Sequence, residues 1–281
     1  MSAIRIAIST CPNDTFAFHA ILNRKIDLQG LEFEFDLLDI SELNRRLLSN
    51  QYDVIKASFH AALKVASEYW VLPSGSALGF GNGPLLLAAS EGTQPDSPKQ
   101  LTLCPGENTT AALLFKLFYG ATRVENVVFS EIMPMLSQQR ADFGVCIHEG
   151  RFTYQDSGLF LIEDLGSRWE QETECPLPLG GILAKKELGD ELNTRIQSVV
   201  HSSIQYGLAN RDETKTTMQC YAQELDEQVI FQRVDLYVND WTLDLGVEGE
   251  QAIRKLNELA RNNAAIPDVD EIKIFKPSKS Q

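Results

Sequence analysis

Short apolar runs alternate along this chain with polar turns and with stretches whose apolar residues fall three and four apart. Residues 4–9, 31–38, 52–58, 85–89, 101–104, 124–129, 143–147 and 159–164 read as strands. Helical spacing follows through Phe16, Phe18 and Leu22, through Leu43, Leu47 and Leu48, through Leu113, Leu114, Leu117 and Phe118, and over residues 132–139. The last third is mostly helical, with helices expected over residues 188–210, 214–237 and 249–263. Strands and helices taking turns predict an α/β fold with largely parallel sheets.

Two stretches share one grammar. Residues 47–58 and 136–148 each run from an amphipathic helix end through a polar turn and an aspartate, Asp53 or Asp142, into a short apolar strand. Ser58 closes the first strand and His148 the second. The repetition predicts two α/β lobes of related topology whose strand ends face one another across a cleft. Ligands of open α/β sheets gather outside the carboxyl ends of strands, which makes His148 a candidate working imidazole. Polar residues 91–99, with Pro95 and Pro98, and the stiff run 176–181 read as the two crossings. The expected division is a first lobe of residues 1–92 and 185–281 and a second of residues 93–184.

Other candidates sit beside the turns. Asn13 or Asp14 can cap the first helix and Asn108 or Thr109 the later one, so that free N–H groups near Asn13, Thr109 and Thr110 point at the cleft and suit an anion. Lys56 lies two residues before Ser58, on the same side of its strand. A lysine aimed into a core is costly unless paired, so Lys56 is expected either to reach a ligand carboxylate or to meet a core aspartate. His60 opens the next helix, as a cap, a surface group or a ligand contact. The glycine-rich residues 73–84 precede a strand instead of following one and opening a helix, which is not the order of a nucleotide loop. They fit a close backbone approach beside the cleft.

Composition narrows the function. With 281 residues, 43% of them hydrophobic, the chain can bury a large core, and a formal net charge of −14 argues against nucleic acid and against anionic membrane surfaces as partners, while leaving room for basic residues inside a cleft. No apolar run reaches the roughly 18 residues that span a bilayer. Ile8-Ser9-Thr10-Cys11 has the outline of a lipoprotein cleavage box, but the segment before it is too short for a signal core and contains Arg5, so a cytoplasmic protein is expected. The five cysteines, Cys11, Cys104, Cys146, Cys175 and Cys220, are scattered and odd in number, which points to free thiols. Phe152 stands where a zinc-peptidase helix starting at His148-Glu149 needs its second histidine, so no metal is expected.

Several motifs occur together in order: Ser-x-Cys-Pro-Asn-Asp-Thr-Phe at residues 9–16, Lys56-Ala57-Ser58, Ser-Gly-Ser-Ala-Leu-Gly at residues 74–79, Thr109-Thr110-Ala111, Ile147-His148-Glu149 with Arg151-Phe152-Thr153-Tyr154, and Pro-Leu-Pro-Leu-Gly at residues 176–180. Over most of the chain this series resembles the 1,4-dihydroxy-6-naphthoate synthase family of the futalosine route to menaquinone. The resemblance implies a two-lobed fold like that of type II periplasmic binding proteins with a central cleft. It implies an intracellular lyase that needs no cofactor and converts a small-molecule carboxylate, cyclic dehypoxanthine futalosine, to the naphthoate. It places the general base at His148 and the substrate contacts at Lys56, Ala57, Ser58, Thr109 and Thr110. It assigns no role to His60. Monomer and homodimer both stay open.

Three other readings compete. Chorismate dehydratase shares pathway and fold, but the Cys-Pro-Asn-Asp-Thr-Phe and Ile-His-Glu motifs weigh against it. A non-catalytic carboxylate-binding protein is expected to carry an export signal, which weighs against that reading. A cysteine hydrolase built on Cys146 and His148 meets a geometric objection, because Cys146 lies deeper in the apolar run.

Overall fold

A computed structural model describes residues 3–147, 150–221, 227–262 and 270–276. Its strands are β1 (Ile4–Ser9), β2 (Phe33–Leu38), β3 (Val54–Ser58), β4 (Tyr69–Val71), β5 (Ala77–Gly79), β6 (Leu85–Ala88), β7 (Leu101–Cys104), β8 (Arg123–Asn126), β9 (Phe143–Cys146), β10 (Phe160–Asp164) and β11 (Leu177–Lys185). They form two sheets. The first runs β2-β1-β3-β11-β4 with β5 also paired to β11, and the second runs β10-β6-β9-β7-β8.

The shared grammar of residues 47–58 and 136–148 is a shared topology. In the first sheet β1 lies between parallel β2 and β3, and antiparallel β11 follows β3. In the second, β7 lies between parallel β8 and β9, and antiparallel β6 follows β9. The two aspartates do the same work: Asp53 Oδ2 accepts from Arg5 N at 2.9 Å, and Asp142 Oδ2 accepts from Leu101 N at 2.7 Å. Their carbonyls accept in turn from Lys185 N and Ala89 N, both at 2.9 Å, tying each antiparallel strand to its parallel neighbour. Ser58 and Ile147 each lie five residues past these aspartates, so His148 falls one residue beyond the position that Ser58 holds.

The helices are α1 (Pro12–Ala17), α2 (His19–Leu22), α3 (Ile40–Leu48), α4 (Phe59–Leu63), α5 (Thr110–Phe118), α6 (Phe129–Ser137), α7 (Gly150–Thr153), α8 (Leu165–Thr173), α9 (Asp190–Ala209), α10 (Arg211–Tyr221), α11 (Glu227–Tyr237), α12 (Asp240–Leu243) and α13 (Gly246–Asn262). Period-two alternation in β1 sends Ile4, Ile6 and Ile8 to a face covered by Ile196, Val199, Val200 and Ile204 of α9. Ala7 points the other way, into a core that continues through Leu43, Phe59 and Leu113 to Phe143 and Val145 of the second sheet. That continuous apolar packing joins the sheets.

Several local expectations are corrected. Leu85–Ala88 pairs in the second sheet, so the chain changes sheet between Gly79 and Leu85, ahead of residues 91–99, and it returns at Leu177. Of the helix expected over residues 214–237, α10 and α11 cover the described part, and residues 222–226 lie outside the described ones. Asp39 caps α3, its side chain accepting from Ser41 N. Cys11 takes the cap position of α1 because Pro12, which has no N–H to satisfy, fits its first turn. Among the described residues no helix is long and apolar enough to cross a membrane.

Candidate active site

The carboxyl ends of β1, β3, β7 and β9 open onto one cleft of about 700 Å3, its mouth included. Ser9, Asn13, Lys56 and Ser58 line it from the first sheet, and Thr109, Thr110 and Ile147 from the second. Ile40, Ala77, Pro84 and Leu179 add apolar walls, and Tyr237 reaches in from α11. Asn13, Lys56, Ser58, Thr109 and Thr110 therefore stand together, as their places at turns and strand ends predict. Ala57 does not join them: strand alternation turns its side chain into the core, where it is fully buried. His148 and Glu149 lie outside the described residues, and the described chain reaches the cleft wall at Ile147.

The floor of the cleft is an ion pair. Lys56 Nζ lies 2.9 Å from Asp14 Oδ1, and both side chains are only 6% exposed. Lys56 also donates to Gly75 O at 3.0 Å. Asp14 accepts further from Ser9 Oγ at 2.5 Å and Asn13 Nδ2 at 3.1 Å. The core-aspartate alternative for Lys56 is thus what the fold builds, and Asp14 is a lysine partner rather than a helix cap. Because Lys56 still lines the cleft, its charge reaches a ligand already balanced in part by Asp14.

The threonines divide their labour. Thr109 caps α5: its Oγ1 accepts from Ala112 N at 3.2 Å and donates to Gly106 O at 2.8 Å. Thr110 Oγ1 donates to Leu179 O at 2.7 Å and so anchors α5 to β11. With both hydroxyl protons spent inside the protein, the donors that α5 turns to the cleft are the N–H groups of Thr110 and Ala111, which no carbonyl of the helix can reach. His60 is neither cap nor surface group. It is 1% exposed, its Nδ1 lies 3.0 Å from Thr109 O, and burial pushes its pKa down to about 4, outweighing the upward pull of that hydrogen bond.

Three features of the cleft escape a local reading. Asn44 of α3 bonds Ser58 from behind the site. Gly83 packs so tightly on Gly166 that a Cβ there would lie 2.3 Å from the Gly166 Cα. Arg151 donates to Gly83 O and pairs with Asp164 at 2.8 Å, fixing α7 to the segment between the sheets. Helical spacing leaves Asn44 only as a polar position within an amphipathic helix, and no local signal points to the other contacts. Cys146 is 3% exposed within an apolar cluster and does not line the cleft, which removes the cysteine hydrolase reading.

The two-sheet architecture and its cleft are those of a periplasmic-binding-protein-like fold. The periplasmic aliphatic sulphonate-binding protein of Escherichia coli superposes with a TM-score of 0.64 at 12% identity, over 100% of this chain and 94% of that one. A protein of Archaeoglobus fulgidus superposes with a TM-score of 0.89 at 32% identity, over 94% of this chain and 98% of that one. Sequence carries the assignment further. A family model described as menaquinone biosynthesis matches residues 4–262. Two relatives named 1,4-dihydroxy-6-naphthoate synthase align with it: that of Thermus thermophilus is 39% identical over 91% of this chain and 93% of its own, and that of Streptomyces coelicolor 36% identical over 94% and 95%. The chain belongs to the menaquinone biosynthesis family, in its 1,4-dihydroxy-6-naphthoate synthase branch.

Proposed function

We propose that this protein is a cytoplasmic lyase that converts cyclic dehypoxanthine futalosine to 1,4-dihydroxy-6-naphthoate, with His148 as general base. The observation that carries the reading is the convergence of Asn13, Lys56, Ser58 and the α5 mouth on one cleft, beside the strand end that leads into His148. An imidazole with a pKa near ~6.5 is largely neutral at cytoplasmic pH and can take a proton from a substrate hydroxyl. The electrons released from that O–H bond form the carbonyl of the departing sugar-derived fragment as the adjacent carbon–carbon bond breaks, the electron pair of that bond passes into the remaining ring as an enolate, and aromatisation of that ring drives the step. Ser58 and the Thr110 and Ala111 N–H groups hold developing negative charge. Lys56, held by Asp14, adds a fixed positive charge below them. Ile40, Pro84, Leu179 and Tyr237 give a flat carbocycle apolar walls. Each lobe carries one sheet, and closure of one on the other excludes water during the cleavage.

His148→Ala tests the base directly. Its expected signature is loss of turnover by at least about a hundredfold, the span general bases supply, with the fold and substrate binding intact by circular dichroism and calorimetry. Near-native turnover in that variant refutes the role.

A further inference from the structure

Ser58 ends β3 at the cleft, and α4 begins directly after it. As the residue before that helix it occupies the cap position, yet its hydroxyl makes no cap bond. What holds it is Asn44 on α3. The Asn44 carbonyl oxygen accepts from Ser58 N at 2.9 Å, and the Asn44 amide nitrogen donates to Ser58 Oγ at 3.0 Å. The first bond fixes which end of the amide faces Ser58, because a backbone N–H can only donate. The second therefore fills a lone pair of the Ser58 oxygen and leaves the hydroxyl proton to point elsewhere. The same amide nitrogen also donates to Asn108 O at 3.2 Å, in the turn that delivers the α5 mouth. Asn44 is 1% exposed and does not line the cleft.

We propose that Asn44 is a positioning residue that biases Ser58 toward donating a hydrogen bond to the ligand. By occupying the serine oxygen as an acceptor, Asn44 directs the Ser58 proton into the cleft, toward a carboxylate or developing oxyanion. Its bond to the Asn108 carbonyl sets that donor in register with the Thr110 and Ala111 N–H groups contributed by the other sheet. A hydroxyl with a free rotor would spend part of its time as an acceptor facing the anion. With one lone pair held from behind, fewer orientations compete with the one in which the proton faces the cleft.

Asn44→Asp is the telling change, because it keeps the shape but replaces the donor nitrogen by an acceptor oxygen. The Ser58 proton then turns back to the new carboxylate. The inference rests on the proposed naphthoate chemistry for its assay, so two readouts are taken: KM and kcat with cyclic dehypoxanthine futalosine, and Kd for 1,4-dihydroxy-6-naphthoate by anaerobic calorimetry. Asn44→Asp should raise KM and Kd by about tenfold or more, the size of one lost hydrogen bond to a charged group, with a smaller change in kcat. In a Ser58→Ala background the same change should have less than about a third of that effect, because the proton it redirects is gone. If Asn44→Asp does not fold, Asn44→Ala is carried through the same cycle with the same expectation. Equal effects in the two backgrounds, or wild-type binding in the single variant, overturn the proposal. A wild type that binds the naphthoate without turnover refutes the catalytic reading alone and leaves the cycle to be read from Kd. A wild type that neither turns over nor binds overturns both.

Discussion

Acidification should weaken this fold through His60. The ring is buried at the junction of α4 with the α5 cap and accepts a proton only near pH 4, whereas an unfolded chain protonates it near its ordinary 6.5. A folded-state pKa below the unfolded one means that the unfolded chain binds more protons between those values, so stability is full above about pH 6.5 and falls as pH drops toward 4. The displacement amounts to about 3 kcal/mol when fully expressed, of which about 2 kcal/mol is already lost at pH 5. Lys64 and Lys116 push the same way, while the bond to Thr109 O opposes. Urea unfolding of the wild type and of His60→Asn, whose amide can still donate to Thr109 O, isolates the contribution. The variant is expected to be less stable at pH 7.5 and to close most of that gap by pH 5. Parallel stability curves from pH 7.5 to 5 would show that burial does not hold His60 neutral.

The cleft floor and the segment between the sheets give two further tests. Asp14→Asn strands the Lys56 ammonium in a site where it is 6% exposed, and unfolding free energy should fall by about 3 kcal/mol or more; adding Lys56→Met should recover part of it, and an unchanged urea midpoint in the single variant counts against a buried pair. Gly83→Ala places a methyl group 2.3 Å from the Gly166 Cα, so a loss of at least about 2 kcal/mol is expected in thermal unfolding, and an unshifted Tm would show that the two backbones are not in contact.

Local chemistry made the repeated unit readable. A helix end, a turn, an aspartate and an apolar strand occur twice, and each aspartate closes the same backbone contact in its own sheet. The pattern also put Lys56 and Ser58 on one side of β3, because alternation along a strand needs no tertiary information. What escaped it depended on partners far along the chain. The membership of β6 in the second sheet is decided by pairing with β9 and β10, more than fifty residues downstream, and nothing local announces it. Asp14 reads as a helix-start acid until Lys56 is seen beside it. His60 reads as a polar helix residue until the α5 cap closes over it. Asn44 bonds Ser58 across 14 residues of sequence and Asn108 across 64. Capping was the weakest local inference, since Asp39 and Ser41, or Asn13 and Cys11 before Pro12, offer competing starts within one turn.

Incubation of the purified protein with cyclic dehypoxanthine futalosine, and separately with chorismate, followed by chromatography and mass spectrometry, decides what the cleft does. The first mixture should yield 1,4-dihydroxy-6-naphthoate in multiple turnovers without added cofactor, and the second should stay unchanged. Absence of the naphthoate from the first, or consumption of chorismate in the second, would contradict a carbon–carbon lyase at this site.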